Sequence, residues 1–399
     1  MPTRSAPRSL LLIAYFIFFA MAIPSGILNV AWIYMQGTFA VSFDSLAVLL
    51  LVNTCAGLIS TFFSGRLIGR FGLGRYLVTG GVILAVGLSG YIVTPTWIML
   101  LISSFVMTLG FSAFNAGLNL FISAKYSAGQ FNWLHAAYGL GQTVGPSLAT
   151  FIVASLGQSW RLSYAIVFVL ILLALGLLFL TRARWIMPGE IKPGDVRGRV
   201  SLRESLLIPA VLLGMTTFFF SSGTISATGQ LSSTLLTARG IQQAGFWISA
   251  YWASFTVGRI IMGFIAHRLD KGLLIRVCMI VAALGTLLLW QNASAALNLA
   301  GLAIIGLASA PMYPTLVALT HQRVESRYRA NAVGFQIAAA GLGTSLVPGA
   351  LAWLTERIGV GVIGITLLVG TLLVLALNEV ALRRQPIATL EVQSELQSP

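Results

Sequence analysis

The sequence predicts an all-α membrane protein of twelve transmembrane helices in two pseudo-symmetric six-helix bundles. Three observations carry this. Hydrophobic residues make up 57% of the chain, charged residues only 9%, and the mean hydropathy is +0.90, whereas a soluble domain carries roughly 25% charged residues. Apolar stretches of about twenty residues, the length a helix needs to cross roughly 30 Å of hydrocarbon, recur along the chain. Finally, Gly139-Leu-Gly-Gln-Thr-Val-Gly-Pro146 returns as Gly341-Leu-Gly-Thr-Ser-Leu-Val-Pro348, the mark of a duplicated half.

In chain order the expected spans are Leu10 to Met35, Leu46 to Gly65, Tyr76 to Thr94, Trp97 to Ile122, Trp133 to Leu156 and Leu162 to Thr181. Six more follow at Leu206 to Leu236, Phe246 to Ala266, Leu273 to Gln291, Ala296 to Leu319, Asn331 to Leu354 and Ile358 to Ala381. The first is too long for a signal-peptide core and lacks the usual small-residue cleavage site, so it is expected to be retained. Between the halves, Pro188, Gly189, Pro193 and Gly194 lie among clustered charges, the composition of an exposed connector. The expected organisation is an N-terminal bundle over 1–181, a cytoplasmic linker over 182–205, a C-terminal bundle over 206–382 and a tail over 383–399.

A net charge of +14 suggests nucleic acid until the basic residues are placed. They alternate between links. Arg4 and Arg8, then Arg66, Arg70 and Arg75, Lys125, the cluster Arg182 to Arg203, Arg268 with Lys271 and Arg276, Arg323 with Arg327 and Arg329, and Arg383 with Arg384 all fall on one side. Arg161, Arg239 and Arg357 fall on the other. By the positive-inside rule both termini are cytoplasmic, in a plasma membrane and by preference a prokaryotic inner membrane, and no nucleic-acid partner is expected. Cys55 and Cys278 lie in apolar helices and give neither a disulfide framework nor a metal signal, so no metal or cofactor is expected.

A second correspondence supports the duplication: Gly65-Arg-Leu-Ile-Gly-Arg-Phe-Gly72 leaves the second span as Gly263-Phe-Ile-Ala-His-Arg-Leu-Asp270 leaves the eighth. These segments resemble the signature Gly-x-Leu-x-Asp-Arg-x-Gly of the major facilitator superfamily, whose fold is two six-helix bundles. Within that family, Phe131-Asn-Trp-Leu-His-Ala-Ala-Tyr-Gly-Leu-Gly141 and Gly306-Leu-Ala-Ser-Ala-Pro-Met-Tyr-Pro-Thr315 look like the fucose/galactose/glucose proton symporter branch. The chain departs from the pattern in two places. Gly69 and His267 stand where the resemblance implies an acid that locks the cytoplasmic side. Asn115 and approximately Ile225 stand where the symporter branch tends to carry carboxylates.

All the acids, Asp44, Glu190, Asp195, Glu204, Asp270, Glu325, Glu356, Glu379, Glu391 and Glu395, fall in links, tails or span ends. A proton-driven carrier needs an ionisable group inside the membrane. His135 is the remaining candidate, with a packed gate residue as the alternative; it shares a helical face with Tyr138 and Gln142. Ser112, Asn115 and Asn119 share a face of the fourth span, and these amides must face water or other helices. The seventh span carries Ser222, Ser226 and Gln230 on one face among many hydroxyls, with Gly223 and Gly229 loosening the helix. It reads either as a discontinuous substrate-binding helix or as a small-residue packing seam. Trp252, Thr256 and Arg259 share a face of the eighth; an arginine there must meet water, a carbonyl or an acid. Trp97, Trp160 and Trp185 are expected as interface anchors.

The sequence therefore leaves open a carrier or facilitator of a small polar solute, with a sugar or polyol favoured and weak or absent proton coupling, and a drug or metabolite exporter of the same fold. A membrane-embedded enzyme lacks paired carboxylates or a Ser/His/Asp arrangement at plausible depth, so no catalytic residue is expected. The expected solute contacts are Asn115, Asn119, Gln142, Ser226, Gln230, Trp252 and Gln336, with Asn29 and Asn53 as weaker candidates. Gating or coupling falls to His135, Arg259, Arg66, Arg70 and Arg268. The partners are the solute and the lipid bilayer, and the protein is expected to be monomeric.

Overall fold

The structure is a computed structural model that describes residues 7–126, 128–186, 201–265, 269–325 and 327–383. Helix is the only regular structure among them. The first half comprises α1 (Arg8–Phe39), α2 (Ser45–Phe71), α3 (Leu73–Val93), α4 (Trp97–Lys125), α5 (Ala128–Thr150) and α6 (Trp160–Thr181). After a short α7 (Leu202–Leu207) come α8 (Pro209–Ala238), α9 (Ala244–Ile265), α10 (Lys271–Gln291), α11 (Ala295–Ser309), α12 (Met312–Arg323), α13 (Arg329–Ile358) and α14 (Val362–Arg383). Among the described residues, 10 helical stretches are long and apolar enough to cross a membrane. The two other expected spans fall on α5 and α9, helices of 23 and 22 residues.

By its contacts the chain forms two compact units, Met1–Asp195 with Gly240–Ala253, and Val196–Arg239 with Ser254–Pro399. The duplication reappears as packing inside each unit. In the first, α1 packs on α5 and α6, α3 on α4 and α6, and α2 on α4. In the second, α8 packs on α13 and α14, and α10 on α11 and α14. Gly258 of α9 faces Leu307 and Ala310 as Gly57 of α2 faces Ser112 of α4, which completes the set of matching pairs.

The repeated glycine motif lies at two of the close contacts. A Cβ added at Gly141 would overlap the carbonyl oxygen of Phe19 in α1, and one added at Gly343 would overlap the carbonyl oxygen of Phe219 in α8. Lipid tails are as apolar as leucine, so helices in a bilayer gain by close backbone approach where small residues permit it. The motif is thus a repeated seam between the first and fifth helix of each half. Pro146 and Pro348 lie inside α5 and α13, and α5 passes into a π-helical turn at Phe151–Ser155, a recognised cause of helix bending.

Two expectations change. The seventh span is an unbroken helix of 30 residues, not a discontinuous one. Its hydroxyls return to the backbone one turn back, with Thr217 donating to Leu213 O at 2.8 Å and Thr228 to Thr224 O at 2.9 Å. Gly223 serves the seam instead of loosening the helix, because an added Cβ would meet the Val347 side chain of α13. The break lies in the tenth span, between α11 and α12 at Ala310 and Pro311, where proline withholds its backbone N–H. Trp160 and Trp185, expected as interface anchors, are only 3% and 1% exposed. Their indole nitrogens donate to Thr38 Oγ1 and Thr181 Oγ1, both at 3.0 Å.

Two arginines outside the main basic clusters end matching helices. Arg161 donates to the carbonyls of Tyr91, Ile92 and Thr94 at 3.3, 3.1 and 2.7 Å, closing the C-terminus of α3. Arg239 donates to the carbonyls of Leu289 and Trp290 and, at 3.0 Å, to Asn298 Oδ1, closing α10. Both supply donors to terminal carbonyls that have no intrahelical partner, where the helix dipole also favours a cation.

If the seam holds each half together, Gly343→Val should cost about 1–3 kcal/mol or more by overpacking. Gly341→Ala, where an added Cβ meets nothing within 4 Å, should leave stability within about 0.5 kcal/mol. Thermal unfolding of the two purified variants checks this; equal behaviour would remove the seam from the explanation.

Candidate functional site

In the first unit, the polar face of α5 starts at His135 and continues through Tyr138 to Gln142. Phe18 of α1 meets both rings edge-on, at 5.9 Å from His135 and 6.3 Å from Tyr138, and Phe131 meets His135 at 4.9 Å. His135 therefore stands half-buried in an aromatic setting. Gln142 is 8% exposed, and its Nε2 donates to Tyr138 Oη at 3.2 Å. Its Oε1 is buried with no hydrogen-bond partner.

On α4 the expected convergence is present. Asn119 Nδ2 donates to Asn115 Oδ1 at 2.7 Å and to Asn115 O at 2.8 Å. Asn119 Oδ1 is buried without a partner, and Asn115 is exposed. The weaker candidate Asn53 is taken up by structure: its Oδ1 accepts from Ser104 Oγ at 2.5 Å and Thr108 Oγ1 at 3.0 Å, and Ser104 in turn accepts from Tyr91 Oη at 2.8 Å. The other, Asn29, is buried in α1. Trp252, in α9, is half-buried, with its ring edge-on to Tyr251 at 5.0 Å.

In the second unit, Ser226 of α8 donates to Thr344 O of α13 at 3.0 Å and accepts from Gln230 Nε2 at 2.8 Å. Gln230 Oε1, like those of Gln142 and Asn119, is a buried oxygen without a partner. The three amides share one pattern: the NH₂ group is engaged and the oxygen is left over. Which amide atom is oxygen follows from the hydrogen-bond network. A buried acceptor without a donor costs about 1–3 kcal/mol, so such an arrangement persists where something else supplies the donor.

Gln336 of α13 is placed differently. It is 1% exposed, and its Oε1 accepts from Thr320 Oγ1 of α12 at 2.8 Å. Arg259 is half-buried with its guanidinium over the Phe255 ring at 4.6 Å, a cation–π contact. Arg66 and Arg70 are exposed, over the rings of Phe62 and Phe71 at 5.9 and 5.4 Å, and Arg268 lies outside the described residues. Arg276 makes a two-pronged ion pair with Glu379, at 2.6 and 2.7 Å, joining α10 to α14. No group of three or more histidines, cysteines and acids suited to a metal occurs among the described residues.

Sequence reasoning missed the partners more than the residues. Thr344 enters through its backbone carbonyl and Thr320 through a hydroxyl on the preceding helix, and neither carries a local signal. Arg161, Arg239 and Arg323 read only as link charges. The partners legible from helical spacing were Tyr138 for Gln142, Asn115 for Asn119 and Ser226 for Gln230.

Comparison with known proteins agrees with this architecture. A curated relative, the glucose/mannose transporter GlcP of Bacillus subtilis (strain 168), is 22% identical over 339 residues, covering 80% of this chain and 81% of the relative. A crystal structure of the nucleoside transporter NupG superposes with a TM-score of 0.77 at 12% identity, over 94% of this chain and 100% of that one. A bacterial homologue of the human lysosomal transporter Spinster, in an inward-facing and occupied conformation, gives 0.75 at 14% identity, over 96% and 98%. Residues 14–290 and 240–396 match the Major Facilitator Superfamily; the chain belongs to that superfamily and is a multi-pass membrane transporter.

Proposed function

We propose that this transporter moves a small, uncharged, polyhydroxylated solute, a sugar or polyol, by alternating access, with six-helix bundles over 1–181 and 206–382. The observation that carries the proposal is the set of leftover amide oxygens at Asn119, Gln142 and Gln230. Each is an acceptor awaiting a donor, and a sugar presents hydroxyl donors of that kind. Asn115, Ser226 and Trp252 extend the set, the indole adding a flat apolar face for a sugar ring. The sugar named for the curated relative in Bacillus subtilis supports the same class.

Proton coupling is weak or absent in this proposal. Among the described residues the acids lie in links or close to helix ends, and Glu379 is held by Arg276. His135, between Phe18 and Phe131, serves to hold the inner end of α5, and Arg259 and the arginines after α2, together with Arg268, serve the gates.

Two experiments test this. Gln142→Leu and Gln230→Leu each remove an amide whose oxygen has no partner, so thermal stability should change by less than about 1 kcal/mol. Solute uptake should nevertheless fall at least tenfold, the effect of losing about 1.4 kcal/mol of transition-state interaction. Variants that lose well over about 1 kcal/mol of stability while transporting normally would assign these amides to packing. Separately, purified protein in liposomes should take up sugar without alkalinising the medium. Export of amphipathic dyes with no sugar movement would favour the exporter, and sugar-induced alkalinisation abolished by His135→Gln would establish proton coupling.

A further inference from the structure

Apart from the amides assigned to the solute, the second unit holds a small, partly open cavity where the end of α12 meets the starts of α8 and α13. Gly214, Thr217, Thr320, Arg323 and Gln336 line it, and it has room for a single ion or water. Arg323 is the one charged group in that lining. Its Nη2 is buried and makes no hydrogen bond. The acid nearest in sequence, Glu325, is occupied by Arg327, whose Nε donates to it at 2.8 Å. Arg329, the next arginine, donates to the Val324 carbonyl at 2.9 Å, which adds a second positive group beside the cavity and fixes the chain that carries Arg323.

The neutral groups point the same way. Thr320 Oγ1 lies 3.0 Å from Leu316 O and 2.8 Å from Gln336 Oε1, which turns the glutamine NH₂ toward Gly214, where an added Cβ would overlap Nε2. The cavity is therefore supplied with N–H donors from a guanidinium and an amide and has no carboxylate. Burial pushes the Arg323 guanidinium below its ordinary pKa, the sign of a charge whose lost hydration has no counter-charge among the described residues.

We infer that this cavity binds a monovalent inorganic anion of about the size of chloride, held by Arg323 Nη2 and Gln336 Nε2. The ion ties the end of α12 to α8 and α13. A lipid phosphate or an organic anion is too large for a space with room for a single ion or water, and water supplies no charge to offset the guanidinium.

The test is thermal unfolding of the purified full-length protein as sodium gluconate is replaced by sodium chloride at constant ionic strength. The wild-type Tm should rise saturably by a few degrees, as expected for a ligand that binds only the folded state. Arg323→Gln should lose the response, and Arg327→Gln, which removes a charge outside the cavity, should keep it. If Arg323→Gln does not fold, crystals of the wild-type protein grown in sodium bromide give an independent readout, with an anomalous peak expected next to Arg323 Nη2. Equal Tm values in chloride and gluconate, a full response in Arg323→Gln, a water at the bromide position, or stabilisation by phosphate-bearing lipid alone would each overturn the assignment.

Discussion

Close approach of helix backbones is the constraint on which the rest of this structure depends. In hydrocarbon there is no hydrophobic gain in pressing one apolar helix on another, so packing and hydrogen bonding must supply cohesion. The chain meets this with glycine at matched places. Gly141 against Phe19 O and Gly343 against Phe219 O bring the first and fifth helices of each half together. Once backbones are this close, a side chain such as Ser226 can reach a carbonyl on the neighbouring helix, at Thr344, 3.0 Å away. The polar face of α8 is thus held by the seam beside it.

The same scarcity of partners organises the charges. An arginine within or beside an apolar bundle needs acceptors, and helix C-termini present unpaired carbonyls. Arg161 and Arg239 bring the two needs together at α3 and α10. Arg276 finds Glu379. Arg323, whose Nη2 finds no acceptor, stands apart from these, as do the oxygens of Asn119, Gln142 and Gln230. Where the chain satisfies its own polar groups the role is structural, and the leftover groups named here are the ones proposed to meet ligands.

The sequence shows the first half of this logic well. Composition and the recurrence of apolar stretches give helices that match the expected spans, because spanning length is set by the bilayer and not by tertiary detail. The Gly139 and Gly341 motifs reveal the duplication. What they touch is hidden, since Phe19 and Phe219 lie far away in sequence and contribute only backbone oxygens. Gly223 misleads for the same reason: a glycine among hydroxyls suggests a loosened helix, but its use is room for Val347. Trp160 and Trp185 have the composition of interface anchors, yet threonine hydroxyls within reach draw them inside. Of the candidate site, the pairs at Asn115 and Asn119 and at Tyr138 and Gln142 follow from helical spacing, whereas the location of Gln336 against Thr320 depends on how α12 folds beside α13.

A carrier built on leftover acceptors should recognise solutes by their hydroxyl donors and not by charge or greasiness. Thermal stabilisation of the purified protein across neutral sugars and polyols, organic anions and lipophilic cations measures this. Saturable stabilisation confined to particular sugars or polyols, and diminished by Gln142→Leu, is the predicted result. Stabilisation by lipophilic cations, with no response to any polyhydroxylated solute, would contradict it.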